Sequence, residues 1–233
     1  MSKFAAWLLV IVGFFAVAHG QAPRMPEQPL HFTVFSAQPI QGLSYMPHPG
    51  GAATKVVFYP TARSPRYDYR GAMPLRFTDA GSGAPIAGAI VPPEVHDALL
   101  LFSPTEPSAA SETKVANAIK YRVAVLDDGA ASHAAGGLAV INFSGLALSG
   151  TIDGREVTLK DGLNPPQNVG RSVKVLLKTT VKGRTFQSYA DDVKLKKNER
   201  ALLILFPPFY KGSLEVQSRL LVDEPPAAAS AAR

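Results

Sequence analysis

Residues 147–160 read Ala-Leu-Ser-Gly-Thr-Ile-Asp-Gly-Arg-Glu-Val-Thr-Leu-Lys (ALSGTIDGREVTLK), and this stretch decides the fold class. Apolar and polar side chains alternate on both sides of Asp153-Gly154, the period of a strand with one face buried. Asp-Gly accepts the positive φ angles of a type I′ turn, whose twist matches that of the strands it joins. The stretch therefore predicts a β-hairpin.

The same alternation recurs outward from it. In Ile119–Val125, residues Ile119, Tyr121, Val123 and Val125 share one face, opposite Lys120 and Arg122. Val173, Val175 and Leu177 oppose Lys174 and Lys178, and Val193 with Leu195 opposes Lys194 and Lys196. Further strand-length runs are Leu30–Ser36, Lys55–Tyr59, Leu75–Thr78, Ala98–Ser103, Leu138–Phe143, Ser172–Val181, Thr185–Tyr189, Val193–Lys197, Ala201–Phe206 and Leu214–Val222. Only residues 108–118 (SAASETKVANA) have helical composition, as a helical turn or two or as a loop. Many short strands between turn residues predict an all-β protein of immunoglobulin-like sandwich type.

A weak repeat subdivides the chain. Leu30–Ser36 (LHFTVFS) resembles Leu138–Ser144 (LAVINFS), and Asp97–Pro104 (DALLLFSP) parallels Arg200–Pro207 (RALLILFP). Each of the latter precedes a strand ending in acid, Tyr121–Asp128 or Leu214–Asp223. The spacing, about 100 residues, is that of one immunoglobulin-like domain. Two tandem lobes are expected, residues 30–130 and 131–222; the plainer alternative is that β sequences resemble one another at this resolution.

Lys3 and the apolar run from Phe4 to Ala18, followed by Ala18-His19-Gly20, have the form of a signal peptide over residues 1–20. The run is short for a membrane span, which takes about 20 apolar residues; an uncleaved anchor is the rival. Residues 21–29 (QAPRMPEQP) read as a Pro-rich linker and residues 223–233 as a disordered, low-complexity tail. The chain is thus expected to be exported, periplasmic or extracellular. Its lack of cysteine excludes disulfides, thiolate metal sites and a cysteine nucleophile.

Signs of catalysis are sparse. There is no G-x-S-x-G elbow, and Ser111-Glu112-Thr113-Lys114 matches S-x-x-K without its companion motifs. His31, His48, His96 and His133 show no metal-ligand spacing. Asp127-Asp128 and Asp191-Asp192 lack the pattern of a calcium loop and suit turn capping. No catalytic residue, metal ligand or cofactor is assigned.

Charge is more informative. Without the leader the chain has 23 basic and 18 acidic residues, a net of +5, and residues 171–200 alone carry nine basic and three acidic. Lys174, Lys178, Lys194 and Lys196 are candidates for a basic sheet face that meets an anionic envelope polymer or a protein partner; protection of sheet edges by lysine is the plainer reading. Export argues against nucleic acid. Tyr59–Arg70 (YPTARSPRYDYR) offers Arg63, Arg66, Tyr67, Tyr69 and Arg70 as a second candidate surface, since aromatic faces with guanidinium forks suit sugars and anions. The plainer alternative is an edge strand with its tyrosines packed inward.

Leu126-Asp127-Asp128 through Gly136-Gly137, Leu138–Ser144, the Ile152-Asp153-Gly154 turn, the Tyr/Arg-rich Arg63–Gly71 and the apolar Leu99–Phe102 together resemble uncharacterised exported β-rich proteins of Verrucomicrobia-type bacteria. The resemblance implies an envelope or secreted location and carries over no activity or site residues. The expected function is a non-catalytic binding or structural role in the cell envelope; the alternative is a hydrolase acting on envelope glycans.

Overall fold

The computed structural model describes residues 26–105 and 119–225. Residues 1–25, the possible helix at 108–118 and the tail beyond 225 lie outside them. The described residues form β1 (Gln28–Ser36), β2 (Leu43–Tyr45), β3 (Thr54–Lys55), β4 (Tyr67–Gly71), β5 (Leu75–Asp79), β6 (Pro85–Ala89), β7 (Asp97–Pro104) and β8 (Tyr121–Asp127). There follow β9 (Gly137–Asn142), β10 (Leu148–Ile152), β11 (Arg155–Leu159), β12 (Gly162–Asn168), β13 (Ser172–Val181), β14 (Arg184–Lys194), β15 (Arg200–Phe206) and β16 (Gln217–Asp223). The described fold is all-β, without helix.

The hairpin at residues 147–160 forms as its sequence predicts. β10 and β11 are antiparallel with Ile152 opposite Arg155, and Asp153 and Gly154 turn the chain at φ 52° and 74°. Other runs come out differently. Thr185–Tyr189 and Val193–Lys197 merge into one long strand, β14, paired along its length with β13. Of Lys55–Tyr59 only Lys55 is in a strand, although Val56 and Phe58 are buried. The strand-length runs leave out four strands: β2 is only three residues long, β4 alternates tyrosine with charge and is the edge strand of the plainer reading of Tyr59–Arg70, β6 is small and Pro-led, and β12 contains Pro165-Pro166. Two prolines remove two ladder donors, so β12 is confined to a sheet edge with a break in register. At the ends, β1 takes in Gln28 and Pro29 from the expected linker, and β16 takes in Asp223 from the expected tail.

The strands make four sheets of order β4-β1-β7-β8, β3-β2-β5-β6, β12-β9-β15-β16 and β11-β10-β13-β14. Strands nine to sixteen repeat the pairing order of strands one to eight, down to a parallel central pair, β1 with β7 and β9 with β15. That parallel pair and the eight-strand count depart from the seven antiparallel strands of an immunoglobulin constant domain.

Three apolar cores join the sheets. Phe32, Val34, Leu100 and Phe102 from the β1–β7 sheet meet Leu43, Leu75 and Phe77 from its partner, with Phe77 and Phe102 edge to face. Leu138, Val140, Leu203 and Leu205 meet Leu148, Val173, Val175 and Leu177 in the second core. The third lies between the other two. It joins the reverse faces of the β1–β7 and β9–β15 sheets through Phe35, Leu99, Leu101, Leu126, Ile141, Leu202, Ile204 and Leu221.

This third core explains the sequence of the central strands. β9 is buried at every position and β15 at all but its last, so both faces must be apolar and the alternation is replaced by a continuous run. The two sides of the seam also correspond. Aligning Asp97 on Arg200 sets Leu99 on Leu202 and Leu101 on Ile204; the cross-strand partners Leu126 and Leu221 correspond likewise.

Removing a fully buried leucine leaves a cavity as well as a transfer loss, together about 2–5 kcal/mol. Leu202→Ala is therefore expected to lower unfolding stability by about 3 kcal/mol in urea denaturation. A loss below about 1 kcal/mol would mean that this seam is not a packed interior.

Candidate functional site

At one end of the seam the strand termini bring charged residues together. Arg200 opens β15 and is only 1% exposed. A guanidinium has five N–H hydrogens, and all are used. Nη1 donates to the carbonyls of Asp128 (2.8 Å) and His133 (2.9 Å). Nη2 donates to Asp128 Oδ2 (2.9 Å) and Asp223 Oδ2 (3.1 Å), and Nε donates to Asp223 Oδ1 at 3.2 Å. Arg63 joins from the segment before β4. Its Nη1 donates to Asp128 Oδ2, and its Nη2 lies 3.4 Å from Asp223 Oδ1.

The location follows from strand pairing. Asp223 stands opposite Arg200 in the β15–β16 register. Asp128 continues past β8, where its N–H donates to the Asp97 carbonyl at 2.9 Å. Arg63 is placed by its neighbour Ser64, which exchanges hydrogen bonds with Val34 of β1. Arg66 pairs with Asp97 in the same region. A cleft of about 280 Å³ lies over the cluster, lined by His31, Arg63, Arg66, Asp97, Arg200 and Asp223 among others.

Electrostatics set the protonation behaviour of two buried groups. Burial pushes the Asp128 carboxyl above its ordinary range, against the opposing pull of Arg63 and Arg200. Burial first, and the Arg200 charge second, lower the His133 imidazole from 6.5 to about 4, so near neutral pH the ring is uncharged. These charges are matched to one another. Removing one partner of such a buried cluster leaves the others uncompensated, at a cost of about 3–5 kcal/mol. The arrangement is suited to clamping the β8, β15 and β16 termini together.

The residues expected to form sites are placed as follows. Lys174 and Lys178 on β13 and Lys194 on β14 are exposed on adjacent strands, and Lys196 follows β14. Lys174 stands opposite Asp192, however, and Lys196 pairs with Glu199 at 3.0 Å, so the face carries acid among its lysines. The Tyr/Arg segment divides. Arg63 is buried in the cluster and Arg66 is held by Asp97. Tyr67 packs on Phe32 and Tyr45, and its hydroxyl accepts from Val57 N at 2.8 Å. Tyr69 also turns toward the core and donates to the Ala72 carbonyl, leaving Asp68 and Arg70 outward. These five side chains therefore share no single exposed surface.

Asp128, Arg200, Asp223 and His133 are the charged and polar groups that sequence reasoning passed over. The signal lay in the repeat. A charged residue opens each of the strands DALLLFSP and RALLILF, and an acid closes each strand that follows. The acidic pairs serve as turn and strand-end groups: Asp127 accepts from Gly129 N and Ser132 Oγ, and Asp191 from Asp192 N and Tyr189 Oη. Among the described residues no three His, Asp or Glu side chains gather into a metal-binding group, and no helix is long and apolar enough to cross a membrane. The chain matches no protein-family model and no curated protein.

His133 supplies a pH test. Its folded-state pKa lies below the unfolded value, so the unfolded chain takes up the proton first as pH falls from 6.5 toward about 4. Native stability declines over that window, by an amount on the order of 3 kcal/mol if the group titrates alone. Asp128, with its raised pKa, acts in the opposite direction, so the comparison is between wild type and His133→Gln. The variant is expected to lose less stability than wild type between pH 6.5 and 4 in urea titrations. Parallel curves would contradict the buried, neutral imidazole.

Proposed function

We propose that this chain is an exported, non-catalytic binding or structural component of the bacterial cell envelope, similar in kind to the exported β-rich proteins it resembles. It is read as two tandem immunoglobulin-like lobes joined back to back. The outer β13–β14 face is the surface that meets an anionic envelope polymer. The carrying observation is the division of labour among charges. Arg63, Arg200 and Asp128 have buried side chains that pair with one another and with the half-buried Asp223, whereas Lys174, Lys178 and Lys194 project outward from neighbouring strands.

Supporting this reading, Asp128 and Arg200 of the buried cluster are engaged in holding strand termini together. The acid beside Lys174 tempers affinity, so the contact is one of many weak charges and is sensitive to salt. Binding to a soluble acidic polysaccharide, followed by co-sedimentation or interferometry, is expected at low ionic strength and to fade as salt rises. Replacing Lys174, Lys178, Lys194 and Lys196 together by Glu is expected to abolish it. Salt-independent retention, or retention by the charge-reversed protein, would count against the proposal.

A further inference from the structure

A second cleft, of about 690 Å³, is lined by Met46, His48, Tyr69, Met73, Pro74 and Arg76 among others. We propose that it binds a small carboxylate with a flat apolar body. The inference is independent of the lysine face and of the seam cluster. The backbone explains why there is an opening. β2 pairs Tyr45 with Phe77 of β5, and two residues later the Pro47 carbonyl accepts from Arg70 N of β4 at 2.7 Å. Met46-Pro47-His48 thus crosses from one sheet to the other at the end of the first core.

Two rings in the cleft wall lie over glycines. The phenol end of Tyr69 lies so close over Gly71 that a Cβ there would come within 2.6 Å of its oxygen; its hydroxyl donates to the Ala72 carbonyl at 2.6 Å. The His48 imidazole sits over Gly51 in the same way, where a Cβ would lie 2.8 Å from Cε1, and its Nδ1 is 3.2 Å from the Pro49 carbonyl. The Tyr69 ring, packed on the core and hydrogen-bonded at its tip, loses little freedom when a ligand arrives. Met46, 50% exposed, and Met73 add thioethers that adapt to varied apolar shapes.

Charge selects the polar end of the ligand. Arg76 is exposed and forms no ion pair among the described residues, and the lining includes no carboxylate. The acid felt at Tyr69, Glu27, is outside that lining. A guanidinium in a wall otherwise apolar or neutral matches a carboxylate in shape and charge. The volume is that of a site for a small organic molecule. Thioethers and an imidazole are also ligands of soft cations, but the Arg76 charge opposes one.

The test follows the methionine methyl signals of the full-length protein in ¹³C NMR, titrated with 2-naphthoate and with uncharged 2-naphthalenemethanol. Saturable shifts confined to Met46 and Met73 are expected, with naphthoate about tenfold the tighter ligand, as for one charge-assisted contact. Arg76→Gln, a surface change, is expected to abolish that preference while leaving the methyl spectrum of the free protein intact. Gly71→Ala, which displaces the Tyr69 ring, is expected to weaken both ligands. Shifts that fail to saturate, that fall on other methyl groups, or a preference kept in Arg76→Gln would each overturn the proposal.

Discussion

The reverse faces of the β1–β7 and β9–β15 sheets pack against each other, so β9, β15 and most of β7 lose their solvent side, and β1 loses it at its C-terminal end. An antiparallel sheet can usually keep one face in water; here the centres of the two inner sheets are covered on both faces. Leu99, Leu101, Leu202 and Ile204 fill the shared space. Burying each such side chain contributes about 1.5–3 kcal/mol, which makes the seam a stability-determining part of the molecule and not an incidental contact. Corresponding positions of the two halves enter the same core, Leu99 with Leu202 and Leu101 with Ile204.

A seam of this kind must end, and its end carries unmet polar groups and strand termini. Arg200 meets that need with all five donors engaged. The repeat is broken at this point in an informative way. Asp97 and Arg200 hold corresponding positions with opposite charge, and each takes partners of its own. Asp97 is answered by Arg66, and Arg200 by Asp128 and Asp223. A buried cluster of this sort is weak evidence for stability, since desolvation offsets much of the attraction, but it fixes how the termini meet.

Much of this was legible in the sequence wherever a strand has one wet face. The alternation in β8 and β13 and the Asp153-Gly154 turn needed only period two and a positive-φ pair. The double burial of β7 and β15 was visible as the runs LLLF and LLIL, although alternation alone could not say what covered their second face. β4 was legible as the plainer reading of the Tyr/Arg segment, an edge strand with Tyr67 and Tyr69 packed inward, whereas β12 was hidden because proline argues against a strand. The cluster was harder still. Arg63, Asp128, Arg200 and Asp223 are far apart in the chain, and only the strand register brings them within hydrogen-bond reach. Arg63 and Arg66 were singled out as ligand-facing because an arginine beside tyrosines looks exposed; their acidic partners are supplied by other strands.

The functional reading rests on what this frame leaves at its surface, lysines on one outer sheet and a preformed cleft at one end. The cleft lies within the first half and the lysines on an outer sheet of the second, and the seam is what joins the two halves into one body. Native-state amide hydrogen exchange tests this most directly. The account predicts that the slowest amides of β1, β7, β9 and β15 exchange with one common free energy, equal to that of global unfolding. Separate plateaus for β1–β7 and β9–β15, showing that each half opens without the other, would contradict it.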